Sequence, residues 1–122
     1  MIKDIVIVGL GSGIGGICRY LISLLMPFAN NSFPWGTFTV NIAGCFLIGI
    51  LWGVTSRFQS ISPAFILFFM VGFCGGFTTF STFSKEGLAL LQTNNYTLFV
   101  LYTMGSVVLG ILAVALGHLI TK

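Results

Sequence analysis

Charged residues are scarce in this chain, and acidic residues are the scarcest of them. Of 122 residues, 6% carry a charge and 57% are hydrophobic, whereas charged residues make up about a quarter of a soluble domain. A water-soluble fold of this length needs a charged surface that this sequence does not supply, so we expect its solvent to be lipid. The basic residues are dispersed without a run or a basic face, which excludes a nucleic-acid-binding surface.

The two acidic residues, Asp4 and Glu86, both fall near the ends of apolar stretches. A proton-coupled exporter of cations needs a carboxylate in the middle of the membrane. The positions of Asp4 and Glu86 therefore argue against a small-multidrug-type cation exporter, which is the main alternative for a chain of this length. The three cysteines lie inside apolar stretches without paired spacing, which favours buried hydrophobic side chains over a disulfide or a metal site. The sequence contains no catalytic constellation, and we do not expect an enzyme.

Four apolar stretches are long enough to cross a bilayer, which takes about 20 residues of helix. They form a single four-helix transmembrane domain over residues 1–122, with predicted spans at approximately 5–26, 35–55, 63–84 and 96–120. The first connection contains Pro27, Asn30, Asn31 and Pro34. An even number of spans places both termini on one side, and the basic residues there outnumber those opposite: Lys3, Arg57 and Lys122 against at most Lys85. This small excess of basic residues on the side of the termini favours cytoplasmic termini.

Glycines recur along the first two predicted spans. Gly11, Gly13 and Gly16 fit the GxGxxG fingerprint of dinucleotide-binding proteins, but neither the βαβ context nor the later acidic residue is present. Close helix packing explains the glycines better. The residues concerned are Gly9 with Gly13 and Gly11 with Gly15 in the first span, and Gly36, Gly44, Gly49 and Gly53 in the second. The sequence leaves open whether this packing lies within one subunit or between subunits.

Neutral hydrogen-bond donors and one positive charge are the polar groups inside the predicted spans. Arg19 lies in the first span and Asn41 in the second. The others are hydroxyls: Thr78, Thr79, Ser81, Thr82 and Ser84 in the third span, and Tyr102, Thr103 and Ser106 in the fourth. Since polar groups are costly in lipid, their chemistry indicates what passes through the protein. Donors and a positive charge favour an anion.

The stretch Gly72–Ser84, with the sequence GFCGGFTTFSTFS, predicts a third helix that is broken near its middle. Gly75 and Gly76 are poor helix formers, and the hydroxyls after them compete for backbone hydrogen bonds. A break within a membrane is tolerated where protein or a watery cavity satisfies the backbone, and its released carbonyls can bind a cation. Phenylalanine rings beside it have a positive edge that can line a path for an anion.

Each of these features also has a structural interpretation. Phenylalanines at this spacing are commonly packing residues, and serine or threonine in a membrane helix commonly bonds to its own backbone. Asn41 can link two helices, and Arg19 can reach the membrane interface. A non-transporting accessory subunit that packs through its glycines is therefore a second alternative, although it leaves the cluster of hydroxyls and phenylalanines without a role.

In combination these residues resemble the Fluc (CrcB) family of small fluoride channels over essentially the whole chain. The resemblance rests on GxGxxxR ending at Arg19, on GTFTVNIAG around Asn41, and on GFCGGFTTFSTFSKE in the third span. It implies a fluoride-selective channel for passive efflux that keeps cytoplasmic fluoride low. It also implies an all-α fold in the plasma (inner) membrane, assembled as an antiparallel, dual-topology homodimer.

The resemblance also implies roles for individual residues. Fluoride is expected near Phe80 and Phe83, with Asn41 as a donor, and Arg19 is expected near the pore entrance. The polar part of the pathway would include Ser81, Thr82, Tyr102 and Ser106. A structural sodium ion is expected at the dimer centre, bound by the backbone carbonyls of Gly75 and Thr78.

Overall fold

The computed structural model describes residues 1–29 and 31–122, and within them it is helical with no strand. The helices are α1 (Ile2–Leu25), α2 (Trp35–Arg57), α3 (Pro63–Ile66), a π-helical segment (Leu67–Cys74), α4 (Gly75–Phe77), α5 (Ser81–Gln92) and α6 (Tyr96–Thr121). The elements from α3 to α5 form one span, Pro63–Gln92, which we call the broken span. It and the other three long helices are apolar and long enough to cross a membrane, which confirms the predicted four-helix membrane architecture. Asn30, predicted in the first loop, lies outside the described residues.

α1 packs against the first half of the broken span at backbone distance. A Cβ atom on Gly11 or Gly15 would overlap the backbone of the broken span, and one on Gly76 would overlap the backbone of α1 at Ser12. A Cβ atom on Gly9 or Gly13 would have no neighbour within 4 Å among the described residues. One of the two predicted glycine pairs therefore packs within the subunit, and the other faces outward.

α2 packs against α6 along a second glycine-rich contact, which we call the α2–α6 seam. A Cβ atom on Gly49 would overlap the Val114 carbonyl oxygen, and one on Gly117 would lie 2.5 Å from the Phe46 carbonyl oxygen. Thr121 Oγ1 donates to the Gly117 carbonyl at 2.7 Å, within its own helix, and to the Ile50 carbonyl of α2 at 3.2 Å. Small residues thus let two continuous helices approach until their backbones touch.

The break in the broken span lies at residues 78–80, not at Gly75 and Gly76 as predicted. Both glycines are helical, and Thr78 is extended at ψ 158°. Gly76 is required for close packing against Ser12 rather than for backbone flexibility. The span also extends to Gln92, beyond the predicted end at residue 84.

The same extension changes the position of Glu86. Predicted near a span end, it lies inside α5, and its side chain is 8% exposed. A carboxylate is therefore buried within the membrane-crossing part of the chain, which the predicted boundaries did not allow.

Candidate ion pathway

The break is bound to α2 through the side chain of Asn41. Its Nδ2 atom donates to the Thr79 carbonyl at 3.0 Å, and its Oδ1 atom accepts from the Thr79 amide at 2.8 Å. This paired contact has the form of a backbone-to-backbone hydrogen-bond pair, with a side-chain amide in place of one peptide group. Since unpaired backbone groups are costly in a membrane, Asn41 makes the break tolerable at Thr79.

The break withdraws the helical donors of several carbonyls, among them those of Gly75 and Thr78. In a continuous α-helix each amide donates to the carbonyl four residues earlier, so Thr79 would bond to Gly75 and Thr82 to Thr78. Instead the Thr79 amide donates to Asn41, and the Thr82 amide donates to Thr79 Oγ1 at 3.1 Å. The carbonyls of Gly75 and Thr78 thus lose their helical partners, and they are the two that were predicted to bind sodium.

Two further side chains donate to carbonyls beside the break. Arg19 Nε donates to the Gly76 carbonyl at 3.1 Å, and Thr78 Oγ1 donates to the Cys74 carbonyl at 2.8 Å. Thr79 Oγ1 also lies 3.3 Å from Ser81 Oγ. The structural interpretation of the hydroxyls therefore holds for Thr78 and Thr79, which hold the chain ends of the break.

A groove of about 460 Å³ lies beside the break, and we call it the central groove. Its walls are Asn41, Gly44, Cys45 and Ile48 of α2, Met70, Cys74, Gly75, Thr78, Thr79, Phe80 and Phe83 of the broken span, and Ser106 and Val107 of α6. Six of the sequence-predicted site residues share this groove: Asn41, Phe80, Phe83, Ser106, Gly75 and Thr78. The predicted fluoride and sodium positions are thus adjacent in space.

Phe80 and Phe83 form the aromatic wall of the central groove. Their ring centroids are 5.9 Å apart, with the planes tilted by 42°. Phe80 is 79% exposed, while Phe83 also packs against Tyr102 at a centroid distance of 4.9 Å. A large apolar ring directed away from its own subunit is available to lipid or to a second protein surface.

The two hydroxyls predicted together on α6 have different surroundings. Ser106 lines the central groove, and its Oγ atom is buried with no hydrogen-bond partner among the described residues. Tyr102 does not line the groove; it is fully buried and donates to Glu86 Oε1 at 3.0 Å. Ser106 thus has unused hydrogen-bonding capacity, whereas the hydroxyl of Tyr102 is engaged.

Arg19 and Thr82 line a second, smaller cavity on the other side of Thr79. It has a volume of about 40 Å³ and is lined by Arg19, Ser23, Gly36, Thr37, Val40, Thr79 and Thr82. A guanidinium group and four hydroxyl-bearing residues surround a space of roughly ion size. Ser81 stands in the sequence between Phe80, which lines the central groove, and Thr82, which lines the smaller cavity. Its side chain is exposed.

Glu86 is the residue near the site that the sequence reasoning missed. It lies three residues after Phe83, so both occupy one face of α5. Its hydrogen bond from Tyr102 links α5 to α6 beneath the aromatic wall. The available signal was the length of the third apolar stretch: a span that continues to Gln92 includes Glu86 within it.

Comparison with known proteins gives matches along nearly the whole chain. Residues 6–118 match the family model described as CrcB-like protein, Camphor Resistance (CrcB). A protein of Phocaeicola vulgatus is 49% identical over 116 residues, which cover 94% of this chain and 95% of the relative. A protein of Azobacteroides pseudotrichonymphae is 45% identical over 123 residues, covering 100% and 98%. One of Flavobacterium psychrophilum is 42% identical over 121 residues, covering 98% of each. All three are named fluoride-specific ion channel FluC.

Proposed function

The chain belongs to the CrcB-like family, and from this membership we propose that it is a fluoride-selective channel through which fluoride leaves the cytoplasm passively. Relatives that match nearly its whole length are named fluoride-specific ion channels. The family conducts an ion and is not a family of enzymes, and the exporter alternative is not favoured. The observation that carries the proposal is the central groove, where free hydrogen-bond donors and ring edges lie beside a break in the membrane.

Fluoride is small and strongly hydrated, so a pathway must replace its water with several close donors without binding it too tightly. The central groove offers the Ser106 hydroxyl, which has no protein partner among the described residues. It also offers Asn41, whose side-chain amide has two N–H groups, one of them donating to Thr79. The positive edges of Phe80 and Phe83 complete a weakly attractive lining.

Arg19 supplies the positive charge of the pathway from behind the break. Its Nε atom is bound to the Gly76 carbonyl, so its position is fixed, while the residue also lines the smaller cavity. We place an entering anion there, next to the hydroxyls of Thr37 and Thr82. A charge held at one side of the route attracts the ion without closing over it.

We further propose that two copies assemble in antiparallel orientation in the plasma (inner) membrane and complete each other's pathways. The central groove is open in the single chain, and Phe80 extends from its wall. Lys85 is exposed within α5, on the half of the broken span that leads to the membrane side opposite Lys3 and Lys122. Basic residues on both sides weaken the topological bias, as insertion in both orientations requires. A cysteine added after Lys122 tests this: a membrane-impermeant thiol reagent should label about half of the copies from each side.

A sodium ion at the dimer centre fits the chemistry of the break. Sodium is a hard cation that oxygen ligands suit, and unwound backbone carbonyls serve this purpose in transporters. The carbonyls of Gly75 and Thr78 have lost their helical donors, so each copy would contribute two oxygen ligands. Gly75 is exposed on the groove with nothing near its Cβ position, which leaves room for a second copy. When bound, the ion would hold the two breaks together electrostatically.

Substitution of Phe80 by isoleucine tests the proposed pathway directly. Fluoride efflux from liposomes should fall sharply in Phe80→Ile, while the assembly, checked by size-exclusion chromatography, stays intact. Phe69→Ile is the matched control, because Phe69 is also partly exposed but does not line the groove. Unchanged fluoride flux in Phe80→Ile would favour the accessory-subunit alternative.

A further inference from the structure

Three sulfur-containing residues line the central groove, and the proposed fluoride pathway uses none of them. Cys45 comes from α2, and Met70 and Cys74 come from the π-helical segment. Cys45 and Cys74 are far apart along the chain, so their spacing does not predict that they share a cavity. The fold brings two thiols and a thioether to the wall of one cavity.

The local geometry places the three side chains on facing surfaces. Met70 and Cys74 are four residues apart, close to one turn of the π-helical segment, so they share a face. Cys74 is 3% exposed. Cys45 Sγ lies 3.4 Å from the position of a Cβ atom on Gly110, one turn from Ser106 on α6. The Cys45 sulfur therefore lies one turn of α6 from Ser106, which lines the same groove.

The ligand set selects a class of metal ion. Among the residues that the structure describes, no group of three or more histidine, cysteine, aspartate or glutamate side chains could hold a metal. Thiolate and thioether ligands favour soft ions such as copper(I) over calcium or magnesium. Three sulfur ligands are one short of the four-coordinate set that a structural zinc site takes. Silver(I) has the same charge and the same preference for sulfur.

We propose that the central groove contains a binding site for a soft monovalent metal ion, copper(I) or silver(I), formed by Cys45, Cys74 and Met70, and that a bound ion stops fluoride conduction. One Ag⁺ replaces the protons of two thiols, giving a dithiolate complex S–Ag–S with one negative charge and two H⁺ released to solvent. Met70 adds a weaker third sulfur contact. No oxidant or reductant takes part.

The block follows from charge and position. The metal dithiolate adds a negative charge to a groove that the proposed pathway requires to be attractive to an anion. It lies beside Ser106 and adjacent to Gly75, at the level of the break. Sodium does not compete for these ligands, because a hard cation prefers the carbonyl oxygens next to them. The blocking part of the inference rests on the proposed function, whereas the binding part does not.

Binding is tested first, with the purified full-length protein in chloride-free buffer and silver nitrate as the probe. Silver retained after gel filtration is measured by mass spectrometry for the wild type and for Cys45→Ser, Cys74→Ser and Cys18→Ser. Cys18 lies on α1 outside the groove and is the matched control. We expect retention in the wild type and Cys18→Ser, and a loss of about tenfold in either groove variant.

Met70→Leu keeps the inference testable if a cysteine variant folds poorly, because it changes one thioether and preserves the side-chain volume. It should weaken silver binding severalfold. Equal silver retention in Cys45→Ser, Cys74→Ser and the wild type would overturn the site, as would a loss confined to Cys18→Ser.

Flux is tested second, in liposomes loaded with potassium fluoride in a gluconate medium. Silver nitrate should stop fluoride efflux through the wild type and Cys18→Ser, and leave efflux through the Cys45→Ser/Cys74→Ser double variant unchanged. Silver binding without any effect on a measurable fluoride flux would overturn the block. Absence of fluoride flux before silver is added would instead count against the proposed function, so the two failures are distinguishable.

Discussion

The α2–α6 seam and the break at residues 78–80 satisfy the backbone in two different ways. α2 and α6 keep continuous helical hydrogen bonds and approach each other through Gly49, Gly53 and Gly117. The broken span gives up its helical bonds at the break, and side chains from other helices take their place. The seam uses small residues and little polar chemistry, whereas the break depends on hydrogen bonds from the side chains of Arg19, Asn41 and Thr79.

This difference shows how a nearly uncharged chain can create an ion site in lipid. Asn41, Arg19 and Thr79 each satisfy a backbone group at the break. Their arrangement leaves the carbonyls of Gly75 and Thr78 without their helical donors. In the seam no side chain replaces a helical hydrogen bond, and no carbonyl is left without its helical donor. We therefore expect changes at the break to alter conduction, and changes at the seam to alter stability first.

The largest effect is expected from Asn41→Leu, which keeps the branched shape of the side chain and removes both hydrogen bonds to Thr79. Two backbone groups would be left unpaired in the membrane, which costs about 2 to 5 kcal/mol, and fluoride flux should disappear. Unfolding in detergent by a denaturant series and efflux from liposomes measure the two effects.

Thr103→Val is the matched control for this variant. The Thr103 hydroxyl bonds to carbonyls of its own helix, at 2.8 Å from Phe99 and 3.4 Å from Val100, so its loss should be nearly neutral. If Asn41→Leu were as stable and as active as Thr103→Val, the break would not depend on Asn41.

A matched pair of glycine substitutions separates the two regions. In Gly44→Ala the new methyl group would overlap Thr78 Cγ2 at the break, while in Gly117→Ala it would lie against the Phe46 carbonyl in the seam. Overpacking costs about 1 to 3 kcal/mol in either place. Flux per folded channel should fall in Gly44→Ala and stay near wild type in Gly117→Ala, as efflux normalised to reconstituted protein would show. The reverse order would contradict the comparison.

A smaller effect is expected from Thr79→Val, which removes the hydroxyl that accepts from the Thr82 amide. Loss of such a helix cap costs about 1 kcal/mol, and the start of α5 should loosen with a severalfold decrease in flux. Thr79→Ser restores the oxygen and should recover both stability and flux. No recovery in Thr79→Ser would indicate that the methyl group, not the cap, matters.

The smallest change in stability is expected from Ser106→Ala. Ser106 Oγ has no partner to lose among the described residues, so the free energy of unfolding should change by less than about 0.5 kcal/mol. Fluoride flux should nevertheless fall, because the groove loses a free donor. Wild-type flux in Ser106→Ala would remove this residue from the pathway.

The sequence predicts the helical architecture well because apolar length and interrupting charges set the spans. It also predicts part of the central groove: among the few polar side chains in the predicted spans, Asn41, Thr78 and Ser106 line it, and the family resemblance adds Phe80 and Phe83. The predicted position of the break was wrong because two glycines such as Gly75 and Gly76 have two explanations, backbone flexibility and close helix packing. Distinguishing them requires knowing that Ser12 lies against Gly76.

Contacts between distant segments account for what the sequence could not predict. Tyr102 and Ser106 lie four residues apart on the same helix, α6. The buried Glu86 nevertheless accepts a hydrogen bond from the Tyr102 hydroxyl and not from that of Ser106. Similarly, local propensity does not predict the π-helical segment, whose Gly72 lies against Gly11 of α1. Both features depend on which faces meet after packing.

Fluoride efflux from liposomes that contain the purified protein, read with a fluoride electrode beside a chloride control, tests the central claim most directly. A groove lined by close donors and ring edges next to the break should release fluoride rapidly and retain chloride. Release of both ions at similar rates, or no fluoride release from folded and reconstituted protein, would contradict this account.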